Sequence, residues 1–271
     1  MPSSLTNLPI AITGASAGIG RATALACARA GMPVVLGARR EDKLQAVAEE
    51  IRAAGGQATT YVMDVASTHD CERMVDVCVE TYGSIYSVFA NAGYGFEQPF
   101  AETPDEDIRK IFEVNFWGTI NTIRPALPHM QQAGRGHVLI NSSVIGILPT
   151  PFYGPYCATK AAQHHIGRAM NLELEPDGIH TSTVHPVWTK TEFADVVRDN
   201  SGGGSMSDSK PSFLIQSPDT VAKAVVKCLR KPRSEVWTSR TARFGAAMFV
   251  AFPGLADMIF RRMVKKAREA E

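Results

Sequence analysis

The chain has 271 residues, 28 basic against 27 acidic side chains and a formal net charge of +1, which excludes the strongly basic surface of a nucleic-acid-binding domain. With 45% hydrophobic and 20% charged residues, it is long and apolar enough for one large domain with a substantial core. Five dispersed cysteines (Cys27, Cys71, Cys78, Cys157, Cys228) form no CxxC pair, which predicts free thiols in a reducing compartment rather than a disulfide framework.

Ile10–Ile12 predicts the first strand. It runs into Thr13-Gly14-Ala15-Ser16-Ala17-Gly18-Ile19-Gly20, and Ala and Leu recur at helical spacing to about Arg29. Three glycines between a strand and a helix allow a tight turn and close approach of backbone to a ligand. The helix N-terminus then offers free N–H groups and the positive dipole end to a pyrophosphate. A second strand over 33–37 ends at Ala38-Arg39-Arg40. Ala38 stands where an acid would take a ribose 2′-hydroxyl, whereas Arg39 and Arg40 suit a 2′-phosphate. The pattern therefore favours NADP(H) over NAD(H).

A helix over 41–54 is closed by Gly55-Gly56, and an alternating strand over 57–63 ends at Asp64-Val65, a short acid suited to an adenine edge. A helix from about Ser67 to Tyr82 leads to a fourth strand, 85–89, that ends at Asn91-Ala92-Gly93. This β-α-β-α order with apolar strands predicts a parallel sheet covered on both faces, with ligands beyond the carboxyl ends of the strands. Residues 104–132 read as one long helical stretch with Asn115 in its interior, and 137–140 as a fifth strand ending at Asn141-Ser142-Ser143.

Gly154-Pro155-Tyr156-Cys157-Ala158-Thr159-Lys160 opens the next helix, with proline in its first turn. Residues four apart share a helix face, which sets the Tyr156 phenol beside the Lys160 ammonium. An adjacent cation favours phenolate and is expected to lower the tyrosine pKa from about 10, as an acid/base tyrosine requires. The helix stops near Pro176-Asp177-Gly178, and a sixth strand over 179–184 leads to His185-Pro186-Val187-Trp188-Thr189-Lys190-Thr191.

Together TGASAGIG (13–20), Asp64-Val65, Asn91-Ala92-Gly93, Asn115, Ser143 and Tyr156-x-x-x-Lys160 resemble, in order and approximate spacing, the short-chain dehydrogenase/reductase family, over about residues 8–195. The resemblance implies an α/β, Rossmann-like doubly wound domain of seven parallel strands ordered 3-2-1-4-5-6-7. It implies a catalytic set of Asn115, Ser143, Tyr156 and Lys160, with Asn115 holding a water that joins Lys160 to solvent. Cofactor contacts are expected from Gly14, Ser16, Gly18, Ile19, Gly20, Arg39, Arg40, Asp64, Val65, Asn91, Ala92, Gly93, Tyr156, Lys160, Pro186, Thr189 and Thr191. Gly37-Ala38-Arg39-Arg40 resembles the NADP-preferring members. The implied activity is interconversion of a ketone or aldehyde and an alcohol, with 3-oxoacyl-thioester reduction and a non-catalytic dinucleotide-binding module as alternatives. Val187 stands where the family usually has glycine, which puts the contacts of Thr189 and Thr191 in question. Family members commonly form homodimers or homotetramers through the helices bearing Asn115 and Tyr156.

Tyr94, Phe96, Phe152, Tyr153 and Trp188 flank these motifs and are candidates for an apolar substrate pocket. His185 is read as structural, and His164-His165, whose adjacent side chains face apart, predict no metal site. Residues 198–213, with a Ser201-Gly-Gly-Gly-Ser205 tip, read as a flexible loop where a lid would lie. A helix over 218–231 and a last strand near 235–238 complete a catalytic domain over 1–240. The extension 241–271 is apolar at 244–252, broken by Pro253-Gly254, and basic at its end. It suits packing on a partner subunit, cover for the pocket, or contact with a membrane surface. The start lacks a signal-peptide pattern and no run of eighteen apolar residues occurs, so the expected location is cytoplasmic.

Overall fold

The computed structural model describes residues 4–201 and 215–268. Short apolar runs bounded by turn residues form seven strands: β1 (Ile10–Thr13), β2 (Val34–Ala38), β3 (Ala58–Val62), β4 (Ser87–Ala90), β5 (Gly136–Asn141), β6 (Ile179–His185) and β7 (Glu235–Trp237). All neighbours pair parallel, in the order β3-β2-β1-β4-β5-β6-β7. The strand order therefore reverses between β1 and β4, and a crevice opens there beyond the carboxyl ends. The sheet and its covering helices make one domain of the expected class.

Helices α1 (Gly18–Arg29), α2 (Glu41–Ala53) and α9 (Pro218–Arg230) cover one face. Their apolar stripes close over Ile10, Ile12, Leu36 and Phe89. On the other face, α3 (Thr68–Tyr82) and the segment from Ile123 to Met130 close over Val35, Val88, Val138 and Ile140. Strands buried on both faces need apolar side chains pointing both ways, hence the near-continuous valine and isoleucine runs. All five cysteines are free thiols.

Two expectations are corrected. The stretch 104–132 is not one helix but α4 (Asp105–Phe112), five residues of π-helix (Glu113–Trp117), α5 (Gly118–Ile123) and α6 (Ala126–Ala133). Pro125 lacks the N–H that would continue α5. In the π turn the Gly118 N–H reaches back five residues to the Glu113 carbonyl, a widening that recurs at functional sites. Gly118 is needed there, since an added Cβ would lie 2.6 Å from Val65 Cγ2. The second correction concerns the loop expected over 198–213: its start belongs to a helix, α8 (Phe193–Asn200), and residues 202–214 lie outside the described residues. The remaining helices are α7 (Gly154–Leu174), α10 (Arg240–Ala251) and α11 (Pro253–Arg268).

Two histidines sit inside the sheet layers. His137 is fully buried with Nε2 2.8 Å from Ser182 Oγ, and burial pulls its pKa down to about 3. His185 stacks on Trp237 at 4.6 Å between centroids, and burial pulls it down to about 4. Both stay neutral in the folded protein at pH 5, while the unfolded chain protonates them near 6.5. Below that pH the unfolded state binds more protons, so stability falls as pH drops from about 6.5 towards 4, by up to about 1.4 kcal/mol per pH unit for each histidine. Urea midpoints measured from pH 7 to pH 5 should fall steadily, and a flat profile would contradict these burials.

Candidate active site

A ladder of side-chain bonds joins the carboxyl ends of β1, β4 and β5. Thr13 Oγ1 accepts from the N–H groups of Asn91 (3.0 Å) and Ala92 (3.2 Å), and Asn91 Nδ2 donates to the Thr13 carbonyl (2.8 Å). Asn141 Nδ2 donates to Asn91 Oδ1 at 3.0 Å. The Asn141 carbonyl then accepts from Lys160 Nζ at 2.7 Å. Ser142 Oγ donates to the Lys160 carbonyl at 2.8 Å, fixing that turn of α7 against β5. The phosphate-type turn and the Tyr-Lys helix, 140 residues apart in sequence, thus share one polar scaffold.

The turn itself fits a dinucleotide. Gly14 and Gly18 hold φ of +64° and +54°, the left-handed region that side chains rarely adopt. A Cβ on Gly20 would lie 2.2 Å from the Gly14 carbonyl, and one on Gly93 2.9 Å from Asn115 Oδ1. Ala17 precedes α1 without capping it, and no acid occupies the first turn, so the helix keeps its positive end for a ligand. Asn141 Oδ1 is buried on this edge without a partner. Ser16 and Ile19 belong to the same turn and Ala92 packs against its Gly14, while Gly93 lies against Asn115 and Lys160.

On α7, Tyr156 and Lys160 share one face, with Nζ 5.5 Å from the phenol ring centroid. Both Tyr156 and Lys160 are buried, and Ser143 is near enough to the phenol to act on its titration. The expected lowering of the phenol does not occur in this arrangement. Burial is the largest effect on both groups: it pushes Tyr156 well above its ordinary value, against a smaller lowering by Ser143, and pulls Lys160 down to about 7. Phe193 at the start of α8 supplies part of that cover, its ring 5.5 Å from the Tyr156 ring. His185 Nδ1 lies 3.2 Å from the Ser143 carbonyl, which sets the loop carrying Ser143.

Asn115 and Lys160 are joined through a residue the sequence reading missed. Gln163 Oε1 accepts from Lys160 Nζ at 2.9 Å, while Gln163 Nε2 donates to the Asn115 carbonyl (2.6 Å) and to Thr119 Oγ1 (2.7 Å). The π turn is what leaves the Asn115 carbonyl open to a side chain. The Asn115 side chain is spent on Tyr94, accepting from its N–H (3.0 Å) and donating to its carbonyl (2.9 Å). It also donates to Thr159 Oγ1 at 3.1 Å. The linkage shown between Asn115 and Lys160 runs through the Gln163 amide. Gln163 lies three residues after Lys160, a same-face spacing that could have flagged it.

At the carboxyl end of β2, Arg40 Nη1 and Lys43 Nζ each lie 2.7 Å from the Glu192 carboxylate, and Arg40 Nη2 donates to Ser16 Oγ at 3.1 Å. Lys43 and Glu192 were also missed, since Glu192 is 152 residues from Arg40 in the chain. The two cations hold the Glu192 carboxyl below its usual range. Arg39 is mostly exposed, 4.0 Å from Asp64 Oδ2. Asp64 Oδ1 accepts from the Ala66 N–H (3.1 Å), and the Val65 carbonyl accepts from Asn121 Nδ2 (3.1 Å). Across the crevice, the Pro186 carbonyl accepts from the Val144 N–H at 3.2 Å. Val187 has no positive φ, so its branched side chain is accommodated. Thr189 Oγ1 donates to the Val187 carbonyl (2.8 Å), and residues 188–190 pair with Gln216. Thr191 stands against Gly18, where an added Cβ would be 3.1 Å from its methyl.

The aromatic candidates divide. Phe96 is buried with Ile111 and Tyr156, and Tyr94, Tyr153 and Phe193 pack on that cluster. Tyr153 Oη donates to Glu97 Oε2 at 2.7 Å. Phe152 lies outside the cluster with φ +67°, a strained setting for a bulky residue, and Trp188 is largely exposed. Among the described residues no metal-binding group of His, Cys, Asp or Glu occurs.

The family model for short chain dehydrogenases matches residues 9–202. The chain is 31% identical to an uncharacterised oxidoreductase of Listeria innocua over 84% of its length and 92% of that protein. A short chain dehydrogenase/reductase from Burkholderia phymatum, solved with NAD, superposes with TM-score 0.83 at 23% identity, covering 94% of this chain and 96% of that one. An alcohol dehydrogenase from Thermococcus sibiricus, solved with 5-hydroxy-NADP, gives TM-score 0.74 at 30% identity, covering 85% and 95%.

Gln163→Glu places a carboxylate against Lys160 Nζ. An opposite charge at that range favours the ammonium by about 1–3 pKa units, so the Lys160 titration should move upward from near 7. NMR of side-chain-labelled lysine reads this directly, and an unmoved titration would remove Gln163 from contact with Lys160.

Proposed function

The chain belongs to the short chain dehydrogenase family and is an oxidoreductase of that class; on that premise we propose that it interconverts a ketone or aldehyde and an alcohol on a fairly hydrophobic substrate, using NADP(H). The observation that carries this reading is the buried Tyr156 side chain with Lys160 Nζ 5.5 Å from its ring, on the sheet edge that holds Ser143 and the glycine turn. The nicotinamide, when bound, exchanges hydride with the substrate carbon. In reduction Tyr156 delivers its proton to the carbonyl oxygen, while Ser143 donates a hydrogen bond to the same oxygen. A phenol pushed up by burial is protonated at neutral pH, the form a proton donor needs. Lys160, within reach of the phenol, would bind the cofactor's ribose hydroxyls. Asn115 acts through its carbonyl, which orients Gln163 and so Lys160. Pro186, Thr189 and Thr191 would hold the nicotinamide side, and the cluster of Phe96, Tyr94, Tyr153 and Phe193 would give the pocket an apolar wall.

The preference for NADP(H) rests on Arg40 and Lys43, which converge at Glu192, and on the Arg40 bond to Ser16 Oγ. A place where two cations already hold one carboxylate is suited to a 2′-phosphate. The solved Thermococcus neighbour carries an NADP derivative and the Burkholderia one carries NAD, so the choice rests on this chain's own cations. Exposed Trp117 and Leu172 beside the site helices suit a homo-oligomeric contact.

Tyr156→Phe should lower kcat by at least 10²-fold while the NADPH dissociation constant, read by fluorescence, stays within a few-fold; near-normal turnover would sink the assignment. Arg40→Ala should weaken NADPH by roughly ten- to a hundredfold, the loss of a charge-assisted contact, and leave NADH unchanged. Equal weakening of both would refute the 2′-phosphate role.

A further inference from the structure

Half of the large hydrophobic side chains exposed among the described residues fall between Phe244 and Met263, on α10 and α11. On α11 the inward stripe is Ala256, Phe260 and Val264, with Phe260 6.2 Å from Phe249 of α10. That stripe already joins the two helices. Leu255, Ile259 and Met263, at i, i+4 and i+8, form a second apolar stripe that points outward, with Met258 beside it. On α10, Phe244 is 70% exposed, and Phe252 at the junction 57%. A soluble helix needs one apolar stripe; a second, exposed one calls for another apolar phase or partner.

Charge decides which. Arg240, Arg243, Arg261, Arg262 and Lys265 lie in this segment with Asp257 as the only acid, and Arg262 sits within the outward stripe of α11. Among the described residues, none of these four arginines forms an ion pair with an acid. A two-fold contact between copies would set this patch against itself and bring its cations together. An anionic bilayer surface offers the opposite charge and an apolar layer beneath it. No single described helix is long and apolar enough to cross a membrane; α10 and α11 reach that length and apolarity only together, and the pair is bent by 107° at its break.

We propose that α10 and α11 form a docking face for anionic lipid bilayers, with Phe244, Phe252, Leu255, Ile259 and Met263 entering the headgroup boundary and Arg243, Arg261 and Arg262 meeting lipid phosphates and carboxylates. The face is independent of cofactor and substrate, so its failure leaves the proposed reaction untouched. It does border the site: a cleft of about 630 Å³ lies between α11 (Asp257, Phe260, Arg261, Val264) and Pro149 and Pro151 of the loop after Ser143.

Flotation of the full chain with vesicles of phosphatidylcholine, with and without phosphatidylserine, tests this. Binding should require phosphatidylserine and weaken in high salt. Arg261→Gln/Arg262→Gln should reduce it by about tenfold or more, and Phe252→Ser/Ile259→Ser should abolish it, with melting curves and NADPH binding of both variants unchanged. No flotation with either vesicle overturns the proposal. So does a concentration-dependent dimer, seen by light scattering and lost in the same variants without any vesicle binding, which would assign the face to a second copy.

Discussion

A buried ammonium must find oxygen atoms or lose its proton, and much of this structure follows from meeting that need at Lys160. An isolated charge of this kind would cost several kcal/mol. Lys160 Nζ has two oxygen partners, the Asn141 carbonyl at the end of β5 and the Gln163 amide one turn further along α7. The first ties α7 to the sheet edge and, through Asn141 and Asn91, to the glycine turn after β1. The second ties it to the Asn115 carbonyl, which only a widened helical turn leaves open. Two neutral oxygens do not fully replace water, which is why the amine rests near 7 rather than at its ordinary 10.5.

The same economy explains the tyrosine. From spacing alone the cation beside Tyr156 should depress the phenol. The fold surrounds that phenol with Phe193 and its own helix, and desolvation then outweighs the neighbours. A ligand that brings its own hydroxyls and charge to this edge changes the balance for both groups.

Much of this was legible in the residues. Apolar strands alternating with helices announced the parallel sheet, the family resemblance supplied its strand order, and the glycine turn, Asn91, Ser143, Tyr156 and Lys160 all fall on one edge because strand ends must. What the chain concealed was non-local or subtle in period. Glu192 meets Arg40 across 152 positions, and no local pattern announces such a pair. The π turn at Asn115 differs from an α-helix by a single residue of register, below what apolar spacing resolves. Phe193 lay next to a stretch read as loop, so its place over Tyr156 had no periodic signal. Gln163 was within reach, three residues past a lysine already singled out, but a glutamine on a long helix is usually a solvated one.

The Glu192 carboxylate has a consequence that reaches beyond cofactor choice. It leads directly into α8 and Phe193, so the cations at the end of β2 and the cover over Tyr156 are held by one short segment. Any anion that competes for Arg40 and Lys43 must do so against that segment's own attachment. By thermodynamic reciprocity, whatever loosens the segment strengthens the anion's hold, and the reverse. Occupancy at one end of the crevice and enclosure at the other are thus two readings of a single equilibrium.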